Sequence, residues 1–274
     1  MRRMAYLHCL MVATTMATIA AAPADAKDVE FISHRGESAD APENTMPAFD
    51  LAWERGDTAI ELDVHLSKDG VLVVSHDGDT KRTTGVEHEI KDTAWDVLKT
   101  LDAGRWKHAK YAGARLPTLE EALASIPDGA RCFVEIKVGP ESIPALKKVI
   151  KAAGKKPEQT PLISFNAASL AEAKKEMPEL KTYYLAGFKK DEKTGKFTPT
   201  VDELIAKAKE INADGLDLAY NGPIDRAFVD RVKAEGLAFY VWTIDDPEVA
   251  RRMIDAGVDG VTTNKAHWLA EQLR

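Results

Sequence analysis

The chain has 274 residues, 45% hydrophobic and 30% charged, the balance of an ordinary soluble globular protein. Its formal net charge of −7 argues against a nucleic-acid partner, which would ask for a basic face. Length alone allows one large domain or two small ones.

The first 26 residues read as a leader rather than as part of the fold. Arg2 and Arg3 form a basic start, residues 4–22 are mostly Ala, Met, Leu, Val and Thr without an acid, and Ala24-Asp25-Ala26 offers a cleavage site. A membrane anchor is the alternative, but the stretch is rich in Thr and Ala and is interrupted by His8. The expectation is an exported protein, periplasmic or secreted, whose mature part begins at Lys27 and does not insert into a membrane. Cleavage would remove two Arg and one Asp, moving the net charge from −7 to about −8, and would remove Cys9. Cys132 would then stand alone, so no intramolecular disulfide is available and the core must hold the fold.

From residue 27 onward strand-like and helix-like runs alternate. Strand-like runs cover 29–33, 59–66, 71–75, 132–137, 162–165, 182–185, 215–219, 238–244 and 260–263. Helical spacing predicts helices over 45–55, 119–125, 143–153, 168–176, 201–211, 225–234, 247–256 and 267–273. The runs at 59–66 and 71–75 are separated by Ser67-Lys68-Asp69-Gly70, too short for a parallel crossover, so they predict an antiparallel hairpin. Eight strands remain, joined by helices, and eight in about 248 residues is the arithmetic of a (β/α)8 TIM barrel. A doubly wound sheet is the runner-up, but no glycine-rich phosphate loop follows the first strand. Residues 79–117 break the alternation and predict a small inserted, lid-like subdomain at the barrel mouth.

Barrel active sites lie at the C-terminal ends of the strands. The first strand runs into His34-Arg35. The second carries Glu61 and Asp63, two apart and therefore on one side. Its hairpin partner ends at His76-Asp77, and the next barrel strand carries Glu135 and Lys137. Three carboxylates suit one hard divalent cation, Ca²⁺ or Mg²⁺, rather than zinc. Any one of these acids could instead pair with Arg35, Lys137 or a surface lysine. His34 and His76 suit acid–base work near neutral pH, while Arg35 and Lys137 suit phosphate. His65, His88, His108 and His267 have no such company and read as surface or insertion residues.

The runs FISHRGESADAPENT at 31–45, ELDVHLSKDGVLVVSHD at 61–77, PTLEEAL at 117–123 and VEIK at 134–137 resemble the glycerophosphodiester phosphodiesterase family. LISFN at 162–166, VWTID at 241–245 and GVDGVTTN at 257–264 extend the resemblance over almost the whole mature chain. It implies a metal-dependent hydrolase that cleaves small-molecule glycerophosphodiesters to sn-glycerol 3-phosphate and an alcohol. It further implies Glu61, Asp63 and Glu135 as metal ligands, His34 and His76 as the acid–base pair, and Arg35 and Lys137 on the phosphate. Phe165 and Trp242 would wall the glycerol end or simply pack the barrel mouth. Asn44, in PENT, reads equally as a site residue or a helix cap. The chain departs from the family pattern at Asn264-Lys265, where a Thr-Asp-x-Pro run is common, and at His65. Both departures read as rim positions that touch substrate preference rather than reaction class. Two rival readings are an enzyme acting on intact lipids, for which Trp95, Trp106 and Tyr111 are too dispersed among charges, and a phosphodiester-binding barrel without catalysis.

Overall fold

The computed structural model describes residues 29–273, so the leader assigned to residues 1–26 lies outside the described residues. In chain order the main elements are β1 (Glu30–Ser33), α1 (Met46–Glu54), β2 (Ala59–Leu66), β3 (Leu72–Val74), α2 (Lys81–Thr84), α3 (Trp95–Leu98), α4 (Leu119–Ala124) and β4 (Arg131–Ile136). They continue with α5 (Ile143–Ala153), β5 (Leu162–Ser164), α6 (Ala167–Glu176), β6 (Thr182–Ala186), β7 (Lys189–Lys190), β8 (Phe197–Thr198) and α7 (Val201–Glu210). The chain closes with β9 (Gly215–Ala219), α8 (Arg226–Lys233), β10 (Ala238–Trp242), α9 (Pro247–Ala256), β11 (Gly260–Thr263) and α10 (Ala266–Leu273).

Eight of these strands form a closed parallel barrel in the order β1-β2-β4-β5-β6-β9-β10-β11, and β11 returns to pair with β1. Alternation along each strand sorts side chains between two environments. On β2, Ile60, Leu62 and Val64 face the helices, while Ala59, Glu61 and Asp63 face inward. On β4, Cys132, Val134 and Ile136 join the helix-facing core, whereas Phe133 and Glu135 point into the barrel. The interior is plugged by Ile32, Ala59, Phe133, Ile163, Tyr183, Leu185 and Tyr240, with the Phe133 and Tyr240 rings edge to face at 5.4 Å. At this level the barrel is a packed core, so any pocket must form above it. Several helices start on side chains that satisfy their first amides: Thr118 and Thr200 form capping boxes with Glu121 and Glu203, and Asn166, Asp225 and Asp246 cap α6, α8 and α9.

The expected hairpin is present. β3 runs antiparallel to β2 with Val64 opposite Val74 and Leu66 opposite Leu72. The Val64 carbonyl accepts from Lys137 on the β4 side, while the Asp63 carbonyl accepts from the Ser75 amide. β3 therefore takes the edge of β2 that β1 vacates when it ends at Ser33. This places the residues following β1 and those following β3 beside each other over the same strand. The segment 79–117 does not form a loose flap. It folds against the outer side of β3 around a core of Val73, Ile90, Leu98, Leu101, Ala103 and Leu116, and reaches back to the β1–α1 loop through Lys107 Nζ to the Ser38 carbonyl at 2.7 Å. The β7–β8 ribbon, at residues 189–198, carries too weak a pattern to be read from the sequence; Phe188 and Phe197 anchor it edge to face. Among the described residues no helix is long and apolar enough to cross a membrane.

Candidate active site

At the C-terminal end of the barrel a cavity of about 180 Å³ is lined by His34, Arg35, Glu61, His76, Glu135, Lys137, Phe165 and Trp242, with Ile163, Leu185, Asp217, Thr243 and Thr262 completing its wall. Eight of the nine residues singled out from the sequence thus face one cavity. The ninth, Asp63, is 1% exposed and lies behind it, reached by Arg35 Nε and Lys137 Nζ at 3.4 Å each.

The loop after β1 is shaped to bring its backbone to the acids. Arg35, Gly36 and Asn44 have φ of 57°, 78° and 56°. At Gly36 a side chain is excluded twice, since a Cβ would also stand 2.7 Å from the Ala48 backbone. The left-handed turn at Arg35 aims its amide at Glu61 Oε2, 3.0 Å away. Asn44, tolerant of this conformation, turns its amide inward to donate to Asp63 Oδ2 at 2.7 Å. The capping role considered for Asn44 is thereby ruled out. Thr45 occupies the N-cap position, but its hydroxyl donates to the Pro42 carbonyl instead of capping.

Glu61, Asp63 and Glu135 bring one oxygen each to within 4.8 Å of one another, and all three are buried. Burial, reinforced by Asp63 and Glu135, pushes the Glu61 carboxyl well above the usual range. Burial and Asp63 push Glu135 up to about 7. Burial works the same way on Asp63, yet Lys137 and Arg35 outweigh it and hold that carboxyl below its ordinary value. The pairing of these acids with Arg35 and Lys137 is therefore present, with Lys137 Nζ 2.9 Å from Glu135. It does not satisfy them: two cations face three acids, and Asp63 Oδ1 is buried without a hydrogen-bond partner. Three converging carboxylates, two of which resist ionising as they stand, with a third whose Oδ1 has only the Lys137 ammonium at 3.4 Å, fit a divalent cation.

The two histidines are held differently. The Asn264 amide donates to Asp245 Oδ2 at 2.7 Å, which turns its oxygen toward His34 Nδ1, also at 2.7 Å. Nδ1 therefore carries the hydrogen, and Nε2 is left for the cavity. Burial first, then the Arg35 charge, lowers His34 to about 4. Asp245 is itself fixed by the Asn264 amide N–H at 2.9 Å and the Thr263 hydroxyl at 2.8 Å. Asn264 thus stands behind a cavity-lining histidine, not at the rim as its departure from the family pattern suggested. His76 Nδ1 lies 2.7 Å from Asp77 Oδ1. Burial opposes the charge on Asp77, but hydrogen bonds from Arg82 and His76 bring its carboxyl down to about 2. Arg82, on α2 of the inserted segment, bridges Asp77 at 2.6 Å to Glu43 at 2.7 and 2.8 Å, and Glu43 continues to Arg35 at 2.8 Å. His65 is no surface residue either: its Nε2 meets the His76 carbonyl at 3.1 Å and braces that turn.

Phe165 and Trp242 meet edge to face at 5.6 Å, and the Trp242 indole donates to the Asp217 carbonyl at 3.0 Å, fixing the ring across the cavity. Glu43, Arg82, Asp245 and Asn264 belong to the site and were missed as contributors. Glu43, Asp245 and Asn264 stood within quoted motifs, but nothing local ties residue 264 to residue 34.

One guanidinium and one ammonium matched to phosphate, in one cavity with two imidazoles and beside a carboxylate trio, are equipped for one kind of chemistry: breaking a phosphate ester. The barrel and its pocket define a phosphodiester hydrolase. Comparison with known proteins narrows the class. Residues 34–267 match the model of the glycerophosphoryl diester phosphodiesterase family, and the chain belongs to that family. It is 38% identical over 247 residues to a glycerophosphodiester phosphodiesterase of Caldanaerobacter subterraneus subsp. tengcongensis, covering 89% of this chain and 97% of that one. It is 31% identical to a glycerophosphodiester phosphodiesterase of Bacillus subtilis, over 85% of this chain and 82% of the relative. Among solved structures, an Oleispira antarctica phosphodiesterase in complex with the product sn-glycerol 3-phosphate superposes with a TM-score of 0.80 at 30% identity, covering 88% of this chain and 95% of the other.

Proposed function

We propose that the protein hydrolyses glycerophosphodiesters, the deacylated forms of phospholipids, to sn-glycerol 3-phosphate and a free alcohol, with one divalent cation, Ca²⁺ or Mg²⁺, held by Glu61, Asp63 and Glu135. The observation that carries this reading is the convergence of Glu61, Glu135, both imidazoles and both cations on one cavity, with Asp63 completing the acid trio directly behind it. The cation, when bound, would polarise the phosphate and lower the pKa of a coordinated hydroxyl or water.

The residues of the chain divide the remaining work. Arg35 and Lys137 clamp the phosphate, one as a planar fork and one as a point charge. His34, kept neutral with Nδ1–H held by Asn264, presents Nε2 as the general base that takes a proton from the attacking group as its oxygen bonds to phosphorus; attack by water gives glycerol 3-phosphate directly, and attack by the glycerol 2-hydroxyl gives a cyclic phosphate that a water then opens. His76 delivers a proton from Nε2 to the departing alcohol oxygen as the P–O bond breaks, while Asp77 balances the charge of the ring before it gives that proton up. Phe165 and Trp242 cover the carbon skeleton of the substrate. The leader at residues 1–26 supports export to the periplasm or medium, checked by N-terminal sequencing of the mature protein from fractionated cells.

The test is release of glycerol 3-phosphate from glycerophosphocholine and glycerophosphoethanolamine, with EDTA and add-back of each cation. Activity abolished by EDTA and restored by Ca²⁺ or Mg²⁺ is expected. Undiminished activity in EDTA would remove the cation from the reading, and binding without turnover would leave only a phosphodiester-binding barrel.

A further inference from the structure

One acid in the cavity has no part in the chemistry above. Asp217 stands in the middle of β9, between Leu185 on β6 and Tyr240 on β10, and is 2% exposed. Its neighbours Leu216 and Leu218 turn outward into the helix-facing core, so its own side chain turns into the barrel and lines the cavity floor. Among the described residues its Oδ1 is buried without a hydrogen-bond partner and no cation offsets it; the charge that acts on it most is another acid, Glu135. A naked carboxyl in such a place is costly, and an apolar residue there would extend the plug formed by Ile163, Leu185 and Tyr240.

We propose that Asp217 recognises a hydroxyl of the glycerol moiety: its carboxyl, whose buried Oδ1 finds no donor among the described residues, accepts the O–H of a substrate seated on the cavity floor through the oxygen that faces the cavity. The inference rests on the phosphodiesterase reading and names the residue that makes the site specific for glycerol. It holds whether or not the carboxyl carries a proton, because a carboxyl keeps an accepting oxygen in either state. The apolar faces of Ile163, Leu185 and Trp242 suit the carbon chain of a polyol and leave Asp217 as the polar mark among them. The cations orient the substrate: the phosphate is drawn to Arg35 and Lys137, so the hydroxyl-bearing end is the one that meets Asp217. The head-group alcohol must leave toward solvent, past Phe165, which is 49% exposed, whereas Asp217 lies at the closed end.

The experiment is calorimetric binding to the cation-loaded protein of three ligands: sn-glycerol 3-phosphate, n-propyl phosphate and phosphocholine. The native protein should prefer glycerol 3-phosphate to n-propyl phosphate on the order of 10-fold. Asp217→Ala should erase that preference, and Asp217→Asn, whose amide oxygen still accepts, should keep it. Neither the Ala variant nor Asp217→Leu, which refills the space if the Ala cavity proves disruptive, should melt below the native protein, since each removes an unpaired buried acid. An Ala variant that retains the preference, or loses affinity equally for all three ligands, overturns the proposal. So does a loss confined to phosphocholine, which would assign Asp217 to a head-group ammonium. Failure of the native protein to bind any of the three would instead overturn the phosphodiesterase reading itself.

Discussion

Replacing Asn264 by Ala isolates what holds His34. The substitution removes the oxygen that lies 2.7 Å from His34 Nδ1 and accepts from the Ser38 hydroxyl at 3.0 Å, and the amide 2.7 Å from Asp245 Oδ2, so three partly buried polar groups lose partners at once. A buried group left unpaired costs about 1–3 kcal/mol. The loss at Asp245 is felt chiefly in stability. The loss at His34 is felt in the rate, because the ring is then free to rotate or to place its hydrogen on Nε2, the atom required as base. About 1–3 kcal/mol of barrier corresponds to roughly a 5- to 150-fold fall in kcat. KM should change little, since Arg35 and Lys137, the proposed phosphate clamp, are untouched. Asn264→Asp tests the same contact with the opposite electrostatics. A carboxylate at that place favours the imidazolium, so the acid limb of the pH–rate profile should move up from near 4 toward neutrality. The assay is steady-state release of glycerol 3-phosphate between pH 4 and 9 at saturating cation. A kcat for Asn264→Ala within twofold of native, together with an unmoved limb in Asn264→Asp, would refute the assignment of His34 as a base held by Asn264.

Four further outcomes are expected. His34→Ala and His76→Ala should each lower kcat by roughly 10²–10⁴-fold with an unchanged far-ultraviolet spectrum. Glu61→Gln should weaken cation affinity so that activity returns partly at high Ca²⁺ or Mg²⁺, and an unchanged titration curve would break the ligand assignment. In the cation-free protein Glu135, raised to about 7 from an ordinary value near 4.5, binds more protons folded than unfolded across that interval; its contribution to stability is therefore present at low pH and is lost as pH rises toward 7, while His34, lowered to about 4, contributes the opposite slope between 4 and 6.5. Denaturant melts of Glu135→Gln and His34→Ala against the parent separate the two slopes. Phe49→Ala, which empties a fully buried position on α1, should cost about 3–5 kcal/mol, or roughly 6–20 °C in Tm for a domain of this size, measured by calorimetry.

The sequence made the barrel legible because two periodicities alternate with little interruption and one short turn singles out the antiparallel pair. The side chains that meet at the cavity were legible because they stand at strand ends, some as pairs on one face two residues apart, Glu61 with Asp63 and Glu135 with Lys137, and two as histidines beside a charged residue, His34-Arg35 and His76-Asp77. What stayed hidden is of another kind. Asn264 meets His34 across 230 residues of chain, brought there by the closure of β11 onto β1. Asn44 reads as a cap by composition, and only its left-handed backbone turns it toward Asp63 instead. Arg82 sits in a segment with no regular pattern, and its partners Asp77 and Glu43 belong to separate loops. Local spacing reports the face of an element; it carries no information on which loops meet once the barrel closes.

The run of contacts from His76 through Asp77, Arg82 and Glu43 to Arg35 also bears on how this protein can be rebuilt. A designer treating residues 79–117 as an exchangeable cassette would be moving Arg82 away from both acids it joins. The graft would fold around its own core and still leave Asp77 and Glu43 facing each other with no counter-charge between them. Position 43, the His76-Asp77 turn and position 82 therefore have to travel together, and a library that recombines them as one unit should yield active hybrids where cuts between them do not.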